Sequence, residues 1–172
     1  MGLPDLYVRR ALREQGYRDD EVRRLIRAGV LTAVRRGSYV HGRLPAEAEV
    51  RHALQVRAAM RELAADAVAS HASAAVVHGL PVWGIRLERV QVTRARRSGG
   101  RRGGRGHVRT ADLDAAEVTV VAGIAVTSVA RTVVDLARCE PFEQAVVVAD
   151  VALFRRLVER SALDAALERA AG

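Results

Sequence analysis

Asp19-Asp20-Glu21-Val22-Arg23-Arg24-Leu25-Ile26-Arg27-Ala28-Gly29 and, after Val30, Leu31-Thr32-Ala33-Val34-Arg35-Arg36-Gly37-Ser38-Tyr39-Val40-His41 are the stretches that decide the fold. Val22, Leu25 and Ile26 recur at helical spacing and share one face, while Arg23, Arg24 and Arg27 point elsewhere. Asp19 and Asp20 suit the N-terminal cap, and Gly29 suits the stop. The following run is rich in β-formers and is broken by Arg35-Arg36-Gly37, where glycine permits a tight hairpin turn. Upstream, Leu6, Val8, Ala11 and Leu12 space a short helix over Pro4 to Gln15 that Gly16 ends. Helix, tight turn, helix and a hairpin with a basic tip predict a winged helix-turn-helix over residues 1–43.

Pro45 suits the first turn of a long helix reaching about Ala64, with Val50, Ala53, Leu54, Met60 and Leu63 as its inner stripe. This helix, over 44–65, is expected to link two domains. From Asp66 a short apolar strand is expected, then a compact helix from His71 to His78 closed by Gly79 and Pro81. Val90 to Arg94, His107 to Thr110, Val118 to Val121 and Ile124 to Val126 read as strands of one small antiparallel sheet. Ser128 can cap a helix carrying Val129, Val133, Leu136 and Ala137, and Pro141 to Arg155 and Ser161 to Ala171 close the chain as helices. The fold class expected is therefore α+β, a winged helix followed by a mixed domain over 66–172 with packed helices.

The 172 residues are 49% hydrophobic, enough for a real core. All 28 basic residues are arginine, and against 20 acids they leave a formal charge of +8. The sequence contains no lysine and no asparagine, so part of the arginine excess reflects a GC-rich coding bias; the surplus over acid still points to a polyanionic partner. The single cysteine, Cys139, allows no internal disulfide, and no zinc-spaced Cys and His set is present. Met1 to Arg10 lacks the unbroken apolar stretch of a signal peptide, and no run approaches the roughly 18 apolar residues of a membrane span. A cytoplasmic protein with no membrane partner and no cofactor is expected.

A helix-turn-helix sets its second helix in the major groove, which demands an apolar face inside and basic groups outside. Arg23, Arg24 and Arg27 meet that demand, Arg35 and Arg36 sit where a wing touches the neighbouring backbone, and Arg18 and Ser38 complete the expected DNA-contact set. Asp19, Asp20 and Glu21 stand against this, because negative charge at that helix start repels phosphate. The partner expected is double-stranded promoter DNA, bound by a homodimer if the operator is symmetric.

Other motifs carry less. Ser98 to Gly106 is a Gly and Arg loop whose Arg101, Arg102 and Arg105 could hold phosphates, but it lacks a Walker ending, and the alternative is a charged hairpin connection. Asp112, Asp114 and Glu117 read as a turn and a solvated edge rather than a nuclease centre. His71 and His78 are too widely spaced for a helical zinc pair. Ser73 with His71 and Asp66 has no nucleophile elbow. Arg131 and Asp135 read as a surface pair one helical turn apart, and Trp83 as a plug at a core edge, with a partner site as the alternative if it is exposed. No catalytic residue and no enzyme activity are expected.

The runs Gly16-Tyr17, Glu21 to Gly29 and Val34 to Val40 resemble the N-terminal winged helix of AbiEi-family antitoxins, of type IV toxin-antitoxin systems. Ser70-His71-Ala72-Ser73-Ala74-Ala75, His78-Gly79-Leu80-Pro81 and Val126-Thr127-Ser128-Val129-Ala130-Arg131-Thr132-Val133-Val134-Asp135-Leu136-Ala137 resemble the domain that follows it in actinobacterial members. The resemblance spans almost the whole sequence and implies a transcriptional autoregulator of a toxin-antitoxin operon, opposing a nucleotidyltransferase-like toxin. Two features depart from the family. Its members usually carry another helix before the position of Leu6, for which Met1 to Leu6 or the Pro45 helix must substitute. Many also continue past the position of Gly172 into an endonuclease-like domain, which this sequence lacks. The alternative function is a protein-interaction module that neutralises the toxin by docking, with a degenerate winged helix.

Overall fold

The computed structural model describes residues 3–63, 66–95, 101–103 and 106–171. The fold is mixed α and β, with seven α-helices and two sheets among the described residues. The chain divides into two compact units, 1–62 and 63–172.

The first unit runs β1 (Tyr7–Val8), α1 (Arg9–Glu14), α2 (Asp19–Arg27), β2 (Leu31–Arg35), β3 (Ser38–His41) and α3 (Ala48–Met60). Its antiparallel sheet has the order β1-β3-β2, so the strand that precedes the helix pair returns beside the last strand. The helix expected from Pro4 therefore starts only at Arg9, because Tyr7 and Val8 pair with Tyr39 and Ser38 instead. Gly16 (φ 93°) takes the left-handed turn between α1 and α2, and Gly37 (φ 79°) the hairpin turn, at little steric cost.

Consecutive strand residues face opposite ways, and β3 uses both faces. Tyr39 packs with Leu12, Val22 and Leu31, the core beneath α1 and α2. Val40 packs with Leu6, Val34, Leu54 and Ala58, and Leu3 and Leu44 close over them. The helix expected to link two domains thus lies wholly in the first unit, where α3 supplies the second wall of its core.

The second unit runs β4 (Ala67–Ala69), α4 (His71–Val77), β5 (Val90–Ala95), β6 (Arg101–Gly103), β7 (Gly106–Ala111), a 3-10 turn (Ala115–Glu117), β8 (Val118–Val121), β9 (Ile124–Thr127), α5 (Val129–Ala137), α6 (Phe142–Phe154) and α7 (Arg160–Ala171). The six strands are ordered β6-β7-β5-β4-β9-β8. The sheet is mixed, not antiparallel as expected: β5 runs parallel to β7 and β4 parallel to β9. The connection through α4 lets β4 lie between two strands of opposite sense. Helix α5 is buried from Ala130 to Leu136, packed against α4, α6 and α7. Among the described residues no helix is long and apolar enough to cross a membrane.

Candidate nucleic-acid interface

Thirteen arginines against eight acids give residues 1–62 a net charge of +5, the larger part of the whole-chain excess. The acids at the start of α2 are already engaged. Asp19 Oδ1 accepts hydrogen bonds from Arg9 Nε at 3.0 Å and Arg13 Nε at 3.1 Å. Those two arginines hold its carboxyl well below the usual carboxylate range. Glu21 accepts the backbone N–H of Arg18 at 2.7 Å, which satisfies a helix-start donor. Asp20 stands 3.6 Å from Arg24 and 3.9 Å from Arg18. The acidic start, whose charge alone opposes phosphate, is therefore spent on capping α2 and tying it to α1.

The basic residues divide into paired and unpaired sets. Arg23 and Arg27, one turn apart on α2, are exposed and make no ion pair among the described residues; their Nε atoms donate to the carbonyls of Asp19 (3.2 Å) and Arg23 (3.4 Å). Arg36, at the hairpin turn, is likewise exposed and without an acidic partner among the described residues. Arg18 and Arg24 are exposed but share the carboxylates of Asp20 and Glu21. Arg35 is only 26% exposed and pairs with Glu62 at 3.2 Å, so that Glu62 takes up its charge. Ser38 is fully buried between β1 and β2, so its hydroxyl is not presented outward and the contact expected of it is withdrawn.

The second unit holds a polar cluster where the sequence predicts a surface pair. Arg131 is buried: its Nε donates to Asp135 Oδ1 at 2.8 Å and its Nη1 to Glu117 Oε2 at 3.0 Å. Glu117, expected on a solvated edge, is 3% exposed and also faces Arg169 at 3.5 Å. Asp114 caps the 3-10 turn by accepting the Ala116 N–H. Burial pushes the Asp135 carboxyl up, against the pull of Arg131. His71 Nδ1 lies 3.0 Å from Ser70 Oγ and 3.7 Å from Asp135 Oδ2, and its backbone has a φ of 53°, strained for a residue with a side chain.

Ser73 Oγ accepts the Gln91 N–H at 2.9 Å, which ties α4 to β5. His78 Nε2 donates to the Thr127 carbonyl at 2.7 Å, a packing role. Trp83 is 66% exposed, contrary to the core-edge expectation. No group of His, Cys, Asp and Glu among the described residues could hold a metal ion. Arg105 lies outside the described residues, and Arg101 and Arg102 are described only as backbone of β6. Neither a scan of protein-family models nor a search of curated proteins finds a match to this chain.

Proposed function

We propose that residues 3–62 form a winged helix that binds double-stranded DNA, and that the chain is a transcriptional regulator acting by occupancy of its own promoter. In this reading α2 enters the major groove, Arg23 and Arg27 meet phosphates and base edges, and Arg36 touches the flanking backbone. The observation that carries it is the pair Arg23 and Arg27, exposed together on α2 with no acidic partner among the described residues, while the nearby carboxylates are held by other arginines. The strand order β1-β3-β2, with two helices between β1 and β2, supports the winged-helix assignment. The sequence resemblance to AbiEi-family antitoxins extends the reading to an autoregulator and antitoxin of a toxin-antitoxin operon, working in the cytoplasm as a pair on repeated half-sites.

A gel shift of the purified chain on its own upstream region, with unrelated duplex as competitor, tests this. A specific shift that Arg23→Ala/Arg27→Ala abolishes is the expected result. Binding that unrelated duplex competes away equally well overturns it.

A second reading, a module that docks a nucleotidyltransferase-like toxin, is favoured by one feature. Helices α5, α6 and α7 border an apolar groove lined by Val146, Ala149, Leu163 and Leu167, with Phe142 78% exposed beside it. Co-purification with the product of a neighbouring reading frame, without a promoter shift, selects this reading.

A further inference from the structure

The polar cluster of the second unit borders a cavity of about 340 Å³, at the small end of the range of about 300–1,000 Å³ typical of small-molecule sites. Arg109 on β7 and Arg138 at the end of α5 line it, together with His71, Thr93, Arg131 and Asp135. These groups differ in how fully they are satisfied. Arg131 is neutralised by Asp135 and Glu117. Thr93 Oγ1 donates to Ser70 Oγ at 2.8 Å. Arg109 and Arg138 make no ion pair among the described residues, and the buried Nε of Arg109 has no hydrogen-bond acceptor.

Asp135 is 5% exposed, and its two oxygens are unequal. Oδ1 is taken by Arg131, whereas Oδ2 is buried without a hydrogen-bond donor, and His71 Nδ1 at 3.7 Å is beyond hydrogen-bond reach. Buried polar atoms are nearly always paired, and an exception at a cavity wall marks a place for a ligand group. The wall thus offers two guanidinium groups that make no ion pair among the described residues, Arg109 lying within the field of Asp135, and these fit an anion, while one carboxylate oxygen fits a donor. Guanidinium forks match phosphate oxygens in geometry as well as charge. A fully ionised phosphate group satisfies the arginines but has no proton to offer Asp135 Oδ2, which leaves that oxygen for a hydroxyl elsewhere on the ligand.

We propose that this cavity binds a small phosphate ester carrying a free hydroxyl, a sugar phosphate being the simplest of the class. Arg109 and Arg138 grip the phosphate oxygens, and Asp135 Oδ2 accepts a hydrogen bond from the hydroxyl. The inference does not depend on the DNA reading, because every residue it uses lies in the second unit.

Isothermal titration of the full chain with ribose 5-phosphate, inorganic phosphate and ribose separates the parts. Saturable binding of ribose 5-phosphate, tighter than that of inorganic phosphate and absent for ribose, is expected. Arg138→Ala, at an exposed position, weakens the sugar phosphate by about tenfold or more, the scale of one charge-assisted hydrogen bond. Asp135→Asn brings the sugar phosphate down to the level of inorganic phosphate, and Arg109→Gln replaces it as the second variant if that chain does not fold. No saturable binding, wild-type binding by Arg138→Ala, or inorganic phosphate bound as tightly as the sugar phosphate overturns the proposal. Loss of binding in Arg23→Ala/Arg27→Ala, with Arg138→Ala unaffected, places the phosphate on the first unit and overturns it as well.

Discussion

Arg13 reaches from α1 to the carboxylate of Asp19 at the first position of α2, Nε to Oδ1 at 3.1 Å, and this contact joins the two helices across the Gly16 turn. Arg9 reinforces it from the first residue of α1. The folded-state value of Asp19 lies below its unfolded one, so its contribution to stability is complete at neutral pH. It declines as the pH falls below the ordinary carboxylate range and disappears in strong acid. Asp19→Asn should therefore melt below the wild type at pH 7, and the gap should close on acidification. Parallel melting curves down to about pH 2 read this directly, and a gap that widens in acid contradicts the clamp.

Asp135 should behave in the opposite sense. Burial raises its folded-state value above the unfolded one, so the folded protein binds the proton more tightly within that window. Its contribution to stability is greatest below the window and falls as the pH rises through it. Subtracting Asp135→Asn from the wild type in urea titrations should leave a difference that declines with rising pH. A difference that grows with pH means that Arg131 outweighs burial.

Arg36 and Arg35 are neighbours at the hairpin turn but should not contribute equally to DNA binding. Arg36 is exposed and without an acidic partner among the described residues, whereas Arg35 is tied to Glu62 at 3.2 Å. Removing one arginine that neutralises a phosphate lowers the slope of log K against log salt by roughly one unit. Arg36→Ala should show that change and Arg35→Ala little of it. Equal slopes for both variants show that Glu62 releases Arg35 on binding.

Arg131 is the shared partner of two buried carboxylates, Asp135 and Glu117. Removing it leaves Asp135 without its hydrogen-bonded cation and Glu117 with only Arg169 at 3.5 Å, and breaking a buried pair costs about 3–5 kcal/mol. Arg131→Ala should lower unfolding free energy on that scale in urea denaturation. Asp135→Asn, which keeps an acceptor for the guanidinium, should cost less.

The two helices and hairpin of the first unit are legible in the sequence because their signals are local. Val22, Leu25 and Ile26 mark one face of α2, and Gly16 and Gly37 occupy positions where φ is positive. Strand β1 is hidden, since two residues make no pattern and Tyr7 pairs with Tyr39 only once the chain has folded back. The parallel pairings of β5 with β7 and β4 with β9 are hidden for the same reason: alternation along a strand does not say which way its neighbour runs. The spacing of Arg131 and Asp135 does place them one helical turn apart. It does not reveal their burial, because Glu117 arrives from an earlier turn and α5 is enclosed by three other helices. Likewise, the charge of Asp19 is visible in the sequence but its partners on α1 are not.

Helix α3 leads to the last prediction, because it fixes how much chain the first unit needs. Leu54 is fully buried against Leu6, Val34 and Val40, on the face of the sheet opposite α1 and α2. Without α3 that face exposes a continuous apolar surface, and a sheet of three short strands buries too little on its other side to compensate. Leu54→Ala should cost about 2–5 kcal/mol, the range for emptying a leucine site in a packed core. A fragment of residues 1–62 should melt cooperatively by circular dichroism, and one of residues 1–43 should not. Cooperative melting of the shorter fragment means that α1, α2 and the hairpin form a sufficient core alone, and that α3 merely covers it.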